Sequence, residues 1–222
     1  MCGRFVRSSP ISSIVDTFHV DSVAADLSAS YNTAPSREIL IVNTKGQREL
    51  VKCRWGFLPP WVRDLPEGGG MINARAETLD QKPSFQAAFR EQRCLIVADG
   101  FYEWKRKDRK KVPYYIKLKS SGPFGLAGLY NYWNSPDGSS ICGCAIITTE
   151  ANDLVSTVHD RMPVIVPREK VDMWLDPSCE DLAALKGILG PYPAEKMEMY
   201  RVSRRVNSAA TDSEANIAPV DD

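Results

Sequence analysis

The chain has 222 residues, 28 Lys+Arg against 28 Asp+Glu, two His, six Cys and 43% hydrophobic residues. That length fits one domain able to bury about 70% of its unfolded surface without staples, and the composition excludes a disordered chain, a collagen repeat and a coiled coil. A formal net charge of zero excludes a nucleic-acid binder held by bulk charge alone, though not a local basic groove; no apolar run approaches the roughly 20 residues of a membrane span, and no apolar stretch of an export signal follows Arg4.

In chain order, Pro10–Phe18 predicts a helix with Ser9 as N-cap, Pro10 at the first helical position and Ile14, Val15 and Phe18 on one face. The β-rich runs Glu38–Asn43 and Arg48–Trp55 flank Lys45-Gly46-Gln47 and read as a hairpin. A Pro/Gly-rich loop extends from Gly56 to Gly70, and Pro83–Glu91 predicts a short helix with Phe85, Ala88 and Phe89 inward. Strands follow at Arg93–Ala98, Phe101–Lys105, Val112–Lys119, Phe124–Tyr132 and Ser140–Thr149. Their breaks, Asp99-Gly100, Lys107-Asp108, Ser120-Ser121-Gly122 and Pro136-Asp137-Gly138, are turn chemistry, so neighbouring strands are expected to run antiparallel. Helical pattern returns at Asn152–Val158, Arg168–Leu175 and Glu180–Leu189, Glu198–Val202 predicts a last strand, and Asn207–Asp222 reads as a loop or frayed tail. The expected fold class is α+β: a single domain, Met1–Asn207 with a polar tail Ser208–Asp222, built on a large, mostly antiparallel, barrel-like β-sheet with peripheral helices.

The cysteines are Cys2, Cys53, Cys94, Cys142, Cys144 and Cys179. Without an export signal the compartment is expected to be reducing and cytoplasmic, so Cys53, Cys94, Cys142 and Cys144 read as core thiols rather than a disulfide framework. No second Cys/His pair completes a zinc site beside Cys142 and Cys144, and neither metal nor cofactor is expected. Cys2 differs. Removal of Met1, the usual fate of an initiator before a small residue, leaves Cys2 with a free α-amine and a thiol on adjacent carbons. Their reference pKa values of about 7.7–8.0 and 8.5 leave both partly nucleophilic near neutrality. An aldehyde meeting this pair forms an imine with the amine, and thiol attack then closes a thiazolidine ring. Gly3 leaves backbone room, and Arg4 is expected to favour the thiolate and to hold a phosphate. The competing reading is a cysteine that merely anchors a terminal strand.

Further reactive residues lie downstream. If Asn73-Ala74-Arg75-Ala76-Glu77 is extended, Asn73, Arg75 and Glu77 share one face, where Arg75 suits a phosphate and Glu77 buttresses it; a surface salt-bridge ladder has the same pattern. Glu103, between Tyr102 and Trp104, reads as a desolvated general acid/base or as a solvent-facing strand acid. His159 lies beside Asp160 and Arg161 and reads as a proton shuttle or a buried, satisfied histidine, whereas His19 has no such company. Trp61 sits on the stiff Trp55–Trp61 loop, where it can stack on an unpaired base, and Trp55 and Phe57 read as core. The basic run Lys105–Lys111 is either a solvated turn or a contact for a phosphate backbone.

Met-Cys-Gly-Arg-Phe at the start, Tyr31-Asn32-Thr33-Ala34-Pro35, Trp55-Gly56-Phe57, Asn73-Ala74-Arg75-Ala76-Glu77, Asp99–Trp104 and His159-Asp160-Arg161-Met162-Pro163 together resemble the SRAP (SOS response-associated peptidase) family. The resemblance covers nearly all of the chain to about Asn207. It implies a protein that binds abasic sites in single-stranded DNA and crosslinks to them through Cys2, shielding the lesion, with AP lyase activity and self-removal of the N-terminal residue. It implies catalytic roles for Cys2, Asn73, Glu103 and His159: Asn73 positions amine and sugar, Glu103 assists ring opening, and His159 acts on the Schiff base or on strand cleavage. It places Arg4, Asn32, Trp61, Arg75 and Arg161 on the DNA. The partner expected is single-stranded DNA with abasic sites, met by a monomer near replication-fork proteins, with no membrane and with nucleoid association when bound. Other readings are an N-terminal-nucleophile glutamine amidotransferase-like hydrolase, which would release ammonia from glutamine, a non-covalent reader of single-stranded or modified DNA, and a thiol protease pairing Cys2 with His159.

Overall fold

The computed structural model describes residues 2–66, 68–107, 110–135 and 138–220. The tip of the basic hairpin at Asp108-Arg109 and Pro136-Asp137 of the predicted turn lie outside the described residues. The strands are β1 (Phe5–Arg7), β2 (Ser22–Val23), β3 (Ser30–Thr33), β4 (Glu38–Lys45), β5 (Gln47–Trp55), β6 (Asn73–Arg75), β7 (Arg93–Ala98), β8 (Gly100–Lys107), β9 (Lys110–Leu118), β10 (Phe124–Asn134), β11 (Ser140–Glu150), β12 (Arg161–Pro163) and β13 (Met197–Arg201). The helices are α1 (Ile11–Phe18), α2 (Pro83–Glu91), α3 (Asp153–Ser156), α4 (Val171–Leu175) and α5 (Leu182–Gly187).

One sheet runs β11-β10-β7-β4-β5, and a parallel pairing of β5 with β11 (Gly143↔Arg54, Cys144↔Trp55) closes it into a barrel. Alternation along these strands sends one set of side chains inward, among them Ile39, Ile41, Trp55, Cys94, Ile96, Leu126 and Ile146. The opposite set, including Leu40, Val42, Leu95, Val97, Leu129 and Ile147, packs beneath the helices. Helix α2 shows why: Pro83 opens it at the first turn, and Phe85, Ala88 and Phe89, at helical spacing, are buried against the barrel wall. A second sheet, in the order β13-β9-β8-β1-β3, stacks beside the barrel.

The barrel-like, mostly antiparallel sheet and most element positions match the sequence reading, but several details differ. Asp99-Gly100 and Ser120–Gly122 do not fold neighbouring strands back on each other. β7 pairs with β4 and β10 while β8 pairs with β1 and β9, so the chain changes sheets at Asp99, and again between β9 and β10. Helix α1 begins one residue late because Ser9 is engaged elsewhere: its N–H donates to Asp99 at 2.9 Å and its hydroxyl also reaches that carboxylate, leaving Pro10 as a cap without a side-chain bond. Cys53 and Cys142 are not free core thiols but a disulfide, their Cα atoms 4.8 Å apart across the β5–β11 seam. Barrel closure brings together two strands whose cysteines lie 89 residues apart, a proximity no local pattern encodes. Between Asn207 and Val220 the chain is the loop of the two readings rather than a frayed tail. Val202 bridges Pro219, Val220 N–H donates to Arg201 O at 3.1 Å, and Asp212 accepts from Ser30 Oγ and Tyr31 N–H at 2.8 and 2.6 Å. Among the described residues no helix is long and apolar enough to cross a membrane.

At the barrel seam a Cβ on Gly143 would sit 2.7 Å from the carbonyl oxygen of Gly56. Gly143→Ala is therefore expected to destabilise the fold by about 1–3 kcal/mol, read from urea denaturation. Gly187→Ala, where a Cβ meets nothing within 4 Å, is expected to be neutral or mildly stabilising.

Candidate functional site

β1 lies against β8 with Phe5 opposite Phe101, and Tyr102 N–H donates to Arg4 O at 3.0 Å. The residues ahead of β1 consequently run beside Glu103. Cys2 is fully buried, and its thiol donates weakly to Arg4 O at 3.9 Å. Burial, helped by the Glu103 carboxylate, pushes the Cys2 thiol far above its ordinary pKa. The expected thiolate beside Arg4 does not form: the Arg4 guanidinium points at Asn32 Oδ1 and Val206 O, at 2.6 and 2.9 Å.

β11 outruns both barrel neighbours, and its last residues are flanked by β6 on one edge and β12 on the other. This framing delivers the next groups. From β6, Asn73 Nδ2 donates to Cys2 O at 2.9 Å, while its buried Oδ1 has no hydrogen-bond partner among the described residues. From the segment between α3 and β12, His159 brings Nε2 to 4.0 Å from Glu103 Oε2. Its Nδ1 accepts the Arg161 N–H at 3.0 Å and lies 2.9 Å from Asp160 Oδ1. Burial lowers the His159 pKa, so the ring is neutral at pH 7.

Glu103 is buried and has its pKa raised to about 7, with burial the largest cause and Asp160 a lesser one. The aromatic neighbours in sequence are not what desolvates it. Alternation along β8 puts Glu103 on the face of Phe101, which belongs to the barrel-interior cluster, whereas Tyr102 and Trp104 face a separate cluster with Tyr115, Val202 and Val206.

The charged rim is rearranged relative to the sequence expectation. The extended stretch ends at Arg75, and Ala76–Thr78 turns into a 3₁₀ helix. Glu77 therefore does not buttress Arg75; it grips Arg161 with both oxygens, at 2.5 and 3.0 Å, and Arg161 also donates to Thr148 O at 2.7 Å. Arg75 is exposed, and Trp61 is 58% exposed, unlike the buried Trp55 and Phe57. Asn32 is placed differently from the other residues expected on DNA. It is only 3% exposed, its Oδ1 accepts from Arg4, and its Nδ2 donates to the carbonyls of Ser208, Thr211 and Val206 at 2.9, 2.6 and 3.3 Å. The amide nitrogen is thus committed to main-chain carbonyls of the C-terminal segment. Sequence reasoning missed the carbonyl of Thr148 and the Asn207 side chain, whose Oδ1 accepts from Trp104 Nε1 at 2.7 Å; neither carries a local signal. Among the described residues no group of three or more His, Cys, Asp or Glu is placed to hold a metal ion.

The family described as SOS response associated peptidase (SRAP) matches residues 1–209. The chain is 48% identical over 217 residues to the abasic site processing protein YoqW of Bacillus subtilis, covering 96% of this chain and 97% of that one. It is 30% identical over 225 residues to the abasic site processing protein HMCES of Xenopus tropicalis, covering 86% of this chain and 66% of that one. A solved structure of a Bacteroides thetaiotaomicron protein superposes with a TM-score of 0.89 at 27% identity, covering 99% of this chain and all of the other.

Glu103 gives a measurable pH dependence. Its folded pKa of about 7 lies above the ordinary 4.5, so the folded state holds this proton more tightly. The stability this confers is complete below about 4.5 and is lost as pH rises through 7. Urea denaturation is expected to show Glu103→Gln gaining up to about 3 kcal/mol on wild type between pH 4.5 and 8. A difference constant with pH would mean that the carboxyl is not desolvated.

Proposed function

The chain belongs to the SOS response associated peptidase family, and on that premise we propose that it binds abasic sites in single-stranded DNA and traps them covalently through Cys2. The observation that carries this reading is the convergence on one buried N-terminal cysteine of the amide of Asn73, the carboxyl of Glu103 and the imidazole of His159.

An abasic deoxyribose opens to an aldehyde. Once Met1 is removed, the Cys2 amine adds to that carbon and water leaves, giving an imine. The thiol then adds across the C=N bond: sulfur bonds to carbon, its proton passes to nitrogen, and the product is a thiazolidine. The buried, unpartnered Oδ1 of Asn73 suits an N–H of the amine, orienting its lone pair at the aldehyde. Glu103, half protonated near pH 7, relays one proton in each step: from the anomeric hydroxyl to the opening ring oxygen, from the carbinolamine nitrogen to the departing hydroxyl, and from the thiol, which burial keeps protonated, to the ring nitrogen. Neutral His159, within one water of Glu103, supports proton transfer on the imine, the step from which AP lyase cleavage by β-elimination would branch.

At the rim, exposed Arg75 meets phosphate, Trp61 stacks on a base, and Arg161, oriented by Glu77, supplies positive charge beside the lesion. Self-removal of Met1, action as a monomer near replication forks, and a cytoplasmic location with nucleoid association on DNA are finer parts of the same proposal.

The test is incubation of the mature chain with a single-stranded oligonucleotide carrying one abasic site. An adduct that survives denaturing electrophoresis is expected, with none on the intact strand and none with Cys2→Ala; full crosslinking by Cys2→Ala would overturn the ring mechanism. Arg75→Ala is expected to weaken binding to all strands alike and to reduce the slope of log affinity against log salt by about 0.7, measured by fluorescence anisotropy.

A further inference from the structure

Asn32 is the one residue of the expected DNA-binding set that the fold buries, and its bonds lead in two directions. Toward the N-terminus, its Oδ1 accepts from Arg4, two residues from the nucleophile, at 2.6 Å. Toward the C-terminus, its Nδ2 reaches the carbonyls of Val206, Ser208 and Thr211. The same C-terminal segment touches the site twice more. Val206 O accepts from Arg4 at 2.9 Å, and Asn207 Oδ1 accepts from the indole of Trp104, next to Glu103, at 2.7 Å.

We infer that Ser203–Thr211 is a positioning strap for the reaction, acting through Asn32 and Arg4 on Cys2 and through Trp104 on Glu103. The inference rests on the covalent-trap reading of Cys2. Arg4 is the hinge of the argument. Its carbonyl holds both the Tyr102 N–H and the Cys2 thiol, while its guanidinium is anchored only by Asn32 and the strap among the hydrogen bonds of the described residues. Burial already lowers the Arg4 pKa, so a guanidinium deprived of those acceptors is driven to leave its place and carry its backbone with it. Packing is a poor substitute on this flank. A cavity of about 400 Å³ lies between the strap and β3–β4, lined by Arg7, Ser30, Arg37, Ala209, Ala210 and Asp212. On the cavity side hydrogen bonds hold the strap, while on the other its buried Val206 packs with Tyr102 and Tyr115.

A positioning role separates rate from affinity, because the strap reaches Cys2 and Glu103 through their neighbours Arg4 and Trp104 and bonds none of the rim residues Arg75, Arg161 and Trp61. With saturating abasic single-stranded DNA, Asn32→Ala is expected to slow the first-order crosslinking step by about tenfold or more. Its affinity for a strand carrying a tetrahydrofuran analogue, which has no aldehyde, is expected to stay within about threefold of wild type. Asn207→Ala, which removes only the Trp104 contact, is expected to slow the same step without altering affinity, and it serves as the deciding variant should Asn32→Ala fail to fold. Wild-type rates in folded Asn32→Ala or in Asn207→Ala, or equal losses of rate and affinity in either, would overturn the strap. Absence of any crosslink with the wild-type chain would instead overturn the trap reading itself.

Discussion

Gly143 and Gly56 bring β11 and β5 so close that Gly56 N–H donates to Cys144 O at 2.9 Å, and this contact turns an open sheet into a closed barrel. The site follows from it. Once β5 covers the middle of one edge of β11, the free end of that edge is left for β6, which brings Asn73, and the end of the opposite edge, beyond β10, takes β12, which brings Arg161. The disulfide between Cys53 and Cys142 ties the same seam covalently. Substituents too large for the seam therefore disturb not only a core but the frame on which two rim residues hang.

The chemistry is arranged by one cause, removal of water. Burial holds the Cys2 thiol protonated, brings Glu103 to the point of half ionisation and keeps His159 neutral. The surroundings of Cys2 thus suppress a standing thiolate, a setting that suits the neutral carbonyl of the proposed substrate. At the rim Glu77 fixes Arg161 and Arg75 remains open. On the proposed reading, gripping an anionic backbone falls to the exterior and reacting with an uncharged sugar to the interior.

What was legible in the sequence was whatever rests on local periodicity. Pro83–Glu91 reads as a helix from three apolar residues at helical spacing, and the β4–β5 hairpin reads from Gly46, whose φ of 83° a glycine adopts freely. The candidate site was legible through its motifs: Cys2, Asn73, Glu103 and His159 do converge, although they come from widely separated parts of the chain. Illegible were facts set by tertiary pairing. A three-residue strand such as β1 or β12 has too few residues to show a period, and Asp99-Gly100 has the same turn composition whether the chain reverses or changes sheets. Asn32 sits in a motif that marks it as important, but no pattern in the sequence tells that its partners are main-chain carbonyls at Val206, Ser208 and Thr211 rather than a ligand.

The bond from Arg4 to Val206 spans 202 positions. During synthesis the amino terminus leaves the ribosome first, and the segment that fixes its neighbour leaves almost last. A nascent polypeptide therefore carries Cys2 for most of translation without the surroundings that finally enclose it. Completion of the candidate site is tied to completion of the chain, so a prematurely terminated product lacks the contacts that hold the Arg4 side chain.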